Sequence, residues 1–313
     1  MTHVFVTGAA GFIGSHTVDQ LLAAGHHVTA VDNFRTGLRA NLAAAARCPG
    51  FTLEEFDVAE PGILERAVEN ARPDAIIHLA ALVSVQESVA NPALNYTLNV
   101  QATHLVAEAA RLHRVSRVVF ASSAAVYGNA PAGAISEDAP KDPISPYGAA
   151  KLASEALLLG HGATFGFTVR CQRYFNVFGP RQDPASPYSG VISIFDLRYR
   201  KGQPVTIYGD GQQTRDFISV HDVARANVLA ATHPDIRSGV ANICTGRATS
   251  LQQIAGIFQS HYPTVPAPSY AAARAGDIIH SLGAPQAAAA ALGFQAETPI
   301  ADGLAELTRA SRA

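Results

Sequence analysis

Tyr147 and Lys151 stand four residues apart in a run of strong helix formers, Tyr147 to Leu159, so a helix there puts both side chains one turn apart on one face. A phenol with a pKa of about 10 is a poor base at neutral pH. A neighbouring ammonium, and a cationic ring placed beside it, both favour the phenolate. Such a phenolate takes a proton from a substrate hydroxyl if a further hydroxyl steadies the reacting oxygen. Ser123, at the end of a β-rich run from Arg117 to Ser122, is the residue that can supply it, whereas Ser122 faces the backbone and cofactor side.

The hydride partner that this chemistry needs is written near the N-terminus. The stretch HVFVTGAAGFIGS, His3 to Ser15, reads as strand, turn and helix, with Gly8, Gly11 and Gly14 at three-residue spacing. Gly8 lets the chain turn off the strand, Gly11 lets a pyrophosphate approach the backbone, and Gly14 lets the helix pack close to the sheet. The free N–H groups of the helix start then face phosphate. A second strand, His27 to Val31, ends in Asp32, eighteen residues beyond Gly14, where a carboxylate accepts the hydroxyls of an adenosine ribose. An acid there favours NAD over NADP by like-charge repulsion of a 2′-phosphate, although Arg35 nearby works against it.

The elements that position these residues alternate. Strands are expected at Phe51 to Phe56, Asp74 to Leu79, Arg117 to Ser122 and Phe167 to Phe175, and helices at Pro61 to Asn70, Pro92 to His113 and from Tyr147. Repeated βα units make a parallel sheet covered on both faces, with ligands at the carboxyl ends of its strands. Asp32, Asp57, His78 to Ala81 and Ser122 to Ser123 fall there. The proline-rich stretch 129–146 reads as loop, and the Pro, Asp and Ser between Gly179 and Gly190 mark a change of domain. Beyond it a helix (Gly190 to Arg200), a strand (Pro204 to Tyr208), the helix Val220 to Thr232, the strand Val240 to Ile243, the helix Leu251 to His261 and two short helices near Pro285 and Pro299 are expected. The class is α/β: a Rossmann-type doubly wound sheet over 1–176, rejoined by 217–243, with a smaller α/β substrate cap from 177–216 and 244–313.

Composition removes several alternatives. A net charge of −2 with 15% charged residues offers no basic field for nucleic acid. No run of 18 apolar residues suits a membrane span, and the N-terminus enters a strand without a charged leader, so the cytosol is the expected compartment. Cys48, Cys171 and Cys244 are widely spaced reduced thiols, and the twelve histidines show no metal-like pairing.

With these residues in place, the chain resembles the extended short-chain dehydrogenase/reductases, and among them the UDP-hexose 4-epimerases. TGAAGFIG (Thr7 to Gly14), HLAA (His78 to Ala81), SSAAVYG (Ser122 to Gly128), YGAAK (Tyr147 to Lys151), RYFNVFGPRQDP (Arg173 to Pro184), GDGQQTRDF (Gly209 to Phe217) and RAGD (Arg274 to Asp277) match in order. The resemblance implies an NAD shell of Gly8, Gly11, Phe12, Ile13, Gly14, Asp32, Asn33, Asp57, Val58, Leu79, Ala80, Ala81, Asn99, Ser122, Tyr147, Lys151 and Tyr174. It implies a catalytic triad of Ser123, Tyr147 and Lys151. It implies that Ser123, Tyr147, Asn176, Val191, Tyr208, Arg215, Arg274, Asp277 and Ser281 meet a UDP-sugar, the two arginines suiting a diphosphate because each offers a planar fork of donors. Ser281, four residues after Asp277, is the position that lines the sugar pocket beside the 2-substituent in that family. The activity implied is 4-epimerisation through a transient 4-keto sugar on bound NAD, in a homodimer paired through helices Pro92–His113 and Tyr147–Leu159. A 4,6-dehydratase would need acids where Ala124 and Ala125 stand; a UDP-glucuronate 4-epimerase, a cofactor-exchanging dehydrogenase or reductase, and a non-catalytic NAD-binding sensor or scaffold are the other readings.

Overall fold

A computed structural model describes residues 1–130, 133–183, 190–273 and 279–310. The chain begins β1 (His3–Thr7), α1 (Phe12–Ala23), β2 (His27–Asp32), two 3₁₀ turns, β3 (Phe51–Glu55), α2 (Ile63–Ala71) and β4 (Ala75–His78). It continues through α3 (Val85–Ala90), α4 (Pro92–Asn95), a π turn at Tyr96–Gln101, α5 (Ala102–Leu112), β5 (Arg117–Ser123), a 3₁₀ turn at Ala124–Tyr127, β6 (Ala134–Ile135), α6 (Pro146–Phe165) and β7 (Thr168–Tyr174).

Seven parallel strands form one sheet, in the order β11-β7-β5-β4-β1-β2-β3, where β11 is Gly239–Ile243. The strands are short apolar runs because both faces are covered. Their alternation sorts side chains between two cores. Val4, Val6, Ile77 and Val119 enter one, while Phe5, Ile76, Val118 and Phe120 enter the other. Helix α1 packs with α8 (Val220–Thr232), and α2 and α6 both pack with α5.

Helix α10 (Gln286–Leu292) packs against β11 and α8 with Ala288 and Leu292 in the core of the large sheet, contrary to the expected placing of 244–313. The other elements, β8 (Asn176–Phe178), α7 (Val191–Arg200), β9 (Thr206–Tyr208), β10 (Thr214–Ser219), β12 (Ala248–Ser250), α9 (Leu251–His261), β13 (Ser269–Ala271), β14 (His280–Gly283) and α11 (Ile300–Ala310), form a second group. Phe178, Phe195, Tyr199, Phe217, Phe258 and Leu304 share its core. The central strand β10 runs parallel to β8 and β14 and antiparallel to β12. Buried Asp216 fastens this junction. It accepts hydrogen bonds from Thr245 N–H (2.8 Å), Thr245 Oγ1 (2.7 Å), Gly246 N–H (2.9 Å) and Gly283 N–H (3.2 Å).

Besides the short strands β6, β8, β12, β13 and β14, to which the sequence reading gives no element, three segments differ from it. The helix expected over Pro92 to His113 is interrupted by the π turn, an extra-residue turn of the kind found where a helix serves a site. The segment 85–90, expected as no element, is α3, started by Ser84 Oγ accepting Glu87 N–H at 2.9 Å. The motif around Arg215, to which the sequence reading gives no element, is a strand, β10.

Candidate active site

Strand β1 lies between β4 and β2, so the order of the sheet reverses at its carboxyl end and a crevice opens there. The glycine turn fills that position. Gly8 has φ +68°, and a Cβ on it would lie 2.6 Å from Ala80 N. A Cβ on Gly14 would lie 2.0 Å from Gly8 O, so the helix sits directly on the turn. On Gly11 a Cβ would meet only Gly8 O, at 3.2 Å, and otherwise open space. Gly11 is also the N-cap of α1 and brings no side chain to its first-turn N–H groups. Phe12 and Ile13 follow in that first turn. This open cradle of amides fits a pyrophosphate.

Asp32 is buried beside the cradle, and burial raises its pKa against the two backbone bonds that favour its charge. Its Oδ2 accepts Ala10 N–H at 2.9 Å and its Oδ1 accepts Phe34 N–H at 2.8 Å. Each oxygen keeps a further lone pair for a ribose hydroxyl. Asn33 donates to Asp57 Oδ2 at 2.9 Å, and Asp57 Oδ1 takes Ala59 N–H beside buried Val58.

Across the crevice the loop after β4 is held by a buried relay. Leu79 and Ala80 N–H groups both reach Thr7 Oγ1 at 3.2 Å, which leaves the threonine hydrogen for His78 Nδ1 at 2.8 Å. The imidazole then carries its hydrogen on Nε2, facing Thr103 Oγ1 at 3.3 Å. Burial holds His78 neutral, its pKa pushed down to about 3. Asn99, in the π turn, donates to Leu82 O at 3.0 Å and accepts Leu82 N–H at 3.1 Å, so its amide shapes the loop beyond Ala81.

Ser123, Tyr147 and Lys151 come together at the ends of β5 and α6. Ser145 Oγ caps α6 and Pro146 opens it, which sets Tyr147 in the first turn. Ser123 lies beside the Tyr147 phenol, and its Oγ accepts Ala125 N–H at 3.2 Å. Burial raises the phenol above its ordinary pKa, and the neighbouring Ser123 hydroxyl opposes that rise. Lys151 is buried, donates to Ala121 O at 2.8 Å, and is pushed down to about 7 by burial, with Glu155 opposing. Ser122 turns the other way, donating to Glu155. Tyr174 donates to Asn227 Oδ1 at 2.5 Å, placing its hydroxyl between β7 and α8.

A cavity of about 390 Å³ lies among β8, α7, β9 and β10, lined among others by Asn176, Val191, Tyr208, Gln213 and Arg215. Arg215 donates to Thr214 O at 2.8 Å. Ser281 is its register partner across β10 and β14, although it is not among the cavity's lining residues. Arg274 and Asp277 lie outside the described residues.

The sequence reading missed three groups that hold this arrangement. One is the Thr7–His78–Thr103 relay, and another is Asp216. The third is a buried pair in which Arg173 donates to Glu155 Oε1 at 2.9 Å and Oε2 at 2.7 Å, and to Tyr127 OH at 2.8 Å. Its signal was present: Tyr147, Lys151 and Glu155 continue one four-residue spacing along a helix face. Among the described residues there is no His, Cys, Asp and Glu cluster that could hold a metal, and no helix long and apolar enough to cross a membrane.

A doubly wound sheet with a glycine turn at its switch point and a Ser–Tyr–Lys constellation on the neighbouring strand and helix defines a dinucleotide-dependent α/β protein. The chain belongs to the NAD dependent epimerase/dehydratase family, whose model matches residues 4–244. It is 38% identical over 302 residues to the UDP-glucose 4-epimerase of Mycolicibacterium smegmatis, covering 96% of each chain. It superposes with a TM-score of 0.93 on a UDP-N-acetylglucosamine 4-epimerase from Methanobrevibacter ruminantium solved with UDP-N-acetylmuramic acid, at 35% identity over 99% of this chain and 98% of that one. The Thermus thermophilus UDP-glucose 4-epimerase in complex with NAD gives a TM-score of 0.88 at 36% identity, covering 99% of both.

Proposed function

We propose that the protein is a UDP-hexose 4-epimerase that interconverts UDP-glucose with UDP-galactose, and UDP-GlcNAc with UDP-GalNAc, on NAD held throughout the cycle. The observation that carries this reading is Tyr147 beside Ser123 and one helical turn from buried Lys151, whose Nζ lies 5.9 Å from the Tyr147 ring centroid. The cofactor site is the cradle at Gly8, Gly11 and Gly14, with Asp32 on the ribose and Lys151 at the far end. NAD, when bound, supplies the hydride acceptor and donor that make C4 of the sugar transiently a ketone.

The chain's own groups move the proton and hold the sugar. Tyr147 as phenolate accepts the 4-hydroxyl proton while Ser123 hydrogen-bonds the same oxygen, and returns it after the sugar has turned over. A cation entering beside the phenol and the Lys151 ammonium both pull its pKa down from the raised value of the free site. Arg215, with Asn176, Val191 and Tyr208, is assigned to the nucleotide end, so the hexose is anchored at one end only and presents either face. Neither position after Ser123 carries an acid, since Ala124 and Ala125 open the 3₁₀ turn, which disfavours dehydration.

A cytoplasmic homodimer and a division into NAD domain and cap belong to the same proposal. The dimer is supported by exposed Leu112 and Phe165 at the ends of α5 and α6. The test is product analysis with UDP-glucose, UDP-GlcNAc and UDP-glucuronate offered separately, with the dinucleotide content of the purified protein measured alongside. C4-inverted products of the first two and retained NAD are expected. Ser281→Tyr should abolish turnover of the N-acetyl sugars and spare UDP-galactose, because the family resemblance puts position 281 beside the sugar's 2-substituent, where a ring leaves no room for an N-acetyl group. Equal loss on both substrates would remove Ser281 from the pocket.

A further inference from the structure

The loop that follows Asp32 carries two arginines, and each is already committed. Arg35 pairs with Glu87, and Arg39 pairs with Glu55 while lying 4.0 Å over the Phe34 ring. The Arg35 pair is unusual in its path. Arg35 follows β2 and Glu87 lies in α3, after β4, and those two strands flank β1 on either side. The ion pair therefore crosses the crevice above the glycine turn. Both ends are fixed locally: Arg35 N–H donates to Asn33 Oδ1 at 3.0 Å, and Glu87 N–H donates to the Ser84 cap at 2.9 Å.

We propose that Glu87 is a cofactor-specificity residue, which holds Arg35 across the crevice and so denies a dinucleotide 2′-phosphate the one arginine fork three residues from Asp32. The assignment rests on the cofactor reading above and deepens it. An arginine next to the ribose-binding acid is the group that accommodates a 2′-phosphate in dinucleotide sites. A phosphate competes for its donors with whatever carboxylate it already holds. Asp32 repels the phosphate directly, and Glu87 removes the cation that could offset that repulsion. Preference for NAD then has two independent parts on opposite walls of one crevice. The pair is part exposed, with side chains 37% and 27% accessible, so its removal leaves the fold intact.

The test equilibrates purified protein with equimolar NAD⁺ and NADP⁺, removes free dinucleotide, and quantifies what denaturation releases. In the Asp32→Ala background, Glu87→Gln should raise the NADP-to-NAD ratio about tenfold, the scale of a charge-assisted hydrogen bond to phosphate. Adding Arg35→Ala should cancel that gain, with unchanged melting temperatures showing that every variant is folded. A ratio unmoved by Glu87→Gln, or a gain that survives loss of Arg35, would overturn the assignment. Wild-type protein that retains neither dinucleotide would overturn the cofactor reading and this inference with it.

Discussion

At the scale of single residues, the site places a phenol and an amine where neither keeps its solution chemistry. Tyr147→Phe removes one oxygen and no packing, so turnover should fall by about 10²-fold or more while NAD retention and melting temperature stay near wild type. A kcat above about a tenth of wild type would take the proton from Tyr147's charge. Lys151 gives a stability signature that needs no substrate. Its folded pKa of about 7 lies below the ordinary 10.5 of a lysine, so between those limits the unfolded chain binds a proton that the folded chain does not. Stability therefore rises with pH across that window, and the cost is full below about 7. In dinucleotide-free protein, Lys151→Met should melt higher than wild type at pH 7, and the gap should narrow as pH approaches 10. A constant gap would mean that Lys151 stays charged in the free site.

At the scale of elements, the glycine turn separates structural from ligand-facing roles within six residues. Gly14→Ala drives a Cβ against Gly8 O, backbone that cannot yield, so loss of folded protein is expected. Gly11→Ala faces mainly open space and should fold, yet retain much less NAD, as measured by dinucleotide released per chain. The reverse order of damage would move the cradle elsewhere. These turn and strand elements were legible because apolar alternation and glycine spacing are local signals. The interrupted helix at 92–112 was not, because an extra residue in one turn leaves no mark on a helical pattern. Strand β10 was hidden for a related reason: Thr214 to Ser219 is polar at its start, and its partners β8, β12 and β14 come from distant parts of the chain. Likewise the Tyr147 and Lys151 spacing is local and readable, whereas the grip of Glu155 on Ser122 and Arg173 depends on β5, α6 and β7 meeting.

At the scale of the whole molecule, the large sheet is completed late. Strand β11 pairs with β7 only after the chain has passed through β8, α7, β9, β10 and α8. A chain cut after residue 236 would leave β7 as an open sheet edge from Arg170 to Tyr174, with its buried Val169 and Cys171 at the border of the core. Such a fragment should be insoluble, although it holds the glycine turn, Asp32 and the triad. Soluble expression with bound NAD, measured on the fragment, would show that β11 is dispensable.

Asp216 carries that interdependence into the time course of synthesis. Its last partner, Gly283 N–H, lies 67 residues further along the chain. At the roughly 5–20 residues per second of translation, the carboxylate waits on the order of 3 to 13 seconds before that bond can form. During that interval the carboxylate has only the donors of Thr245 and Gly246 to offset its burial. The cavity lined by neighbouring Arg215 and Phe217 therefore reaches its final surroundings only once residue 283 has been made.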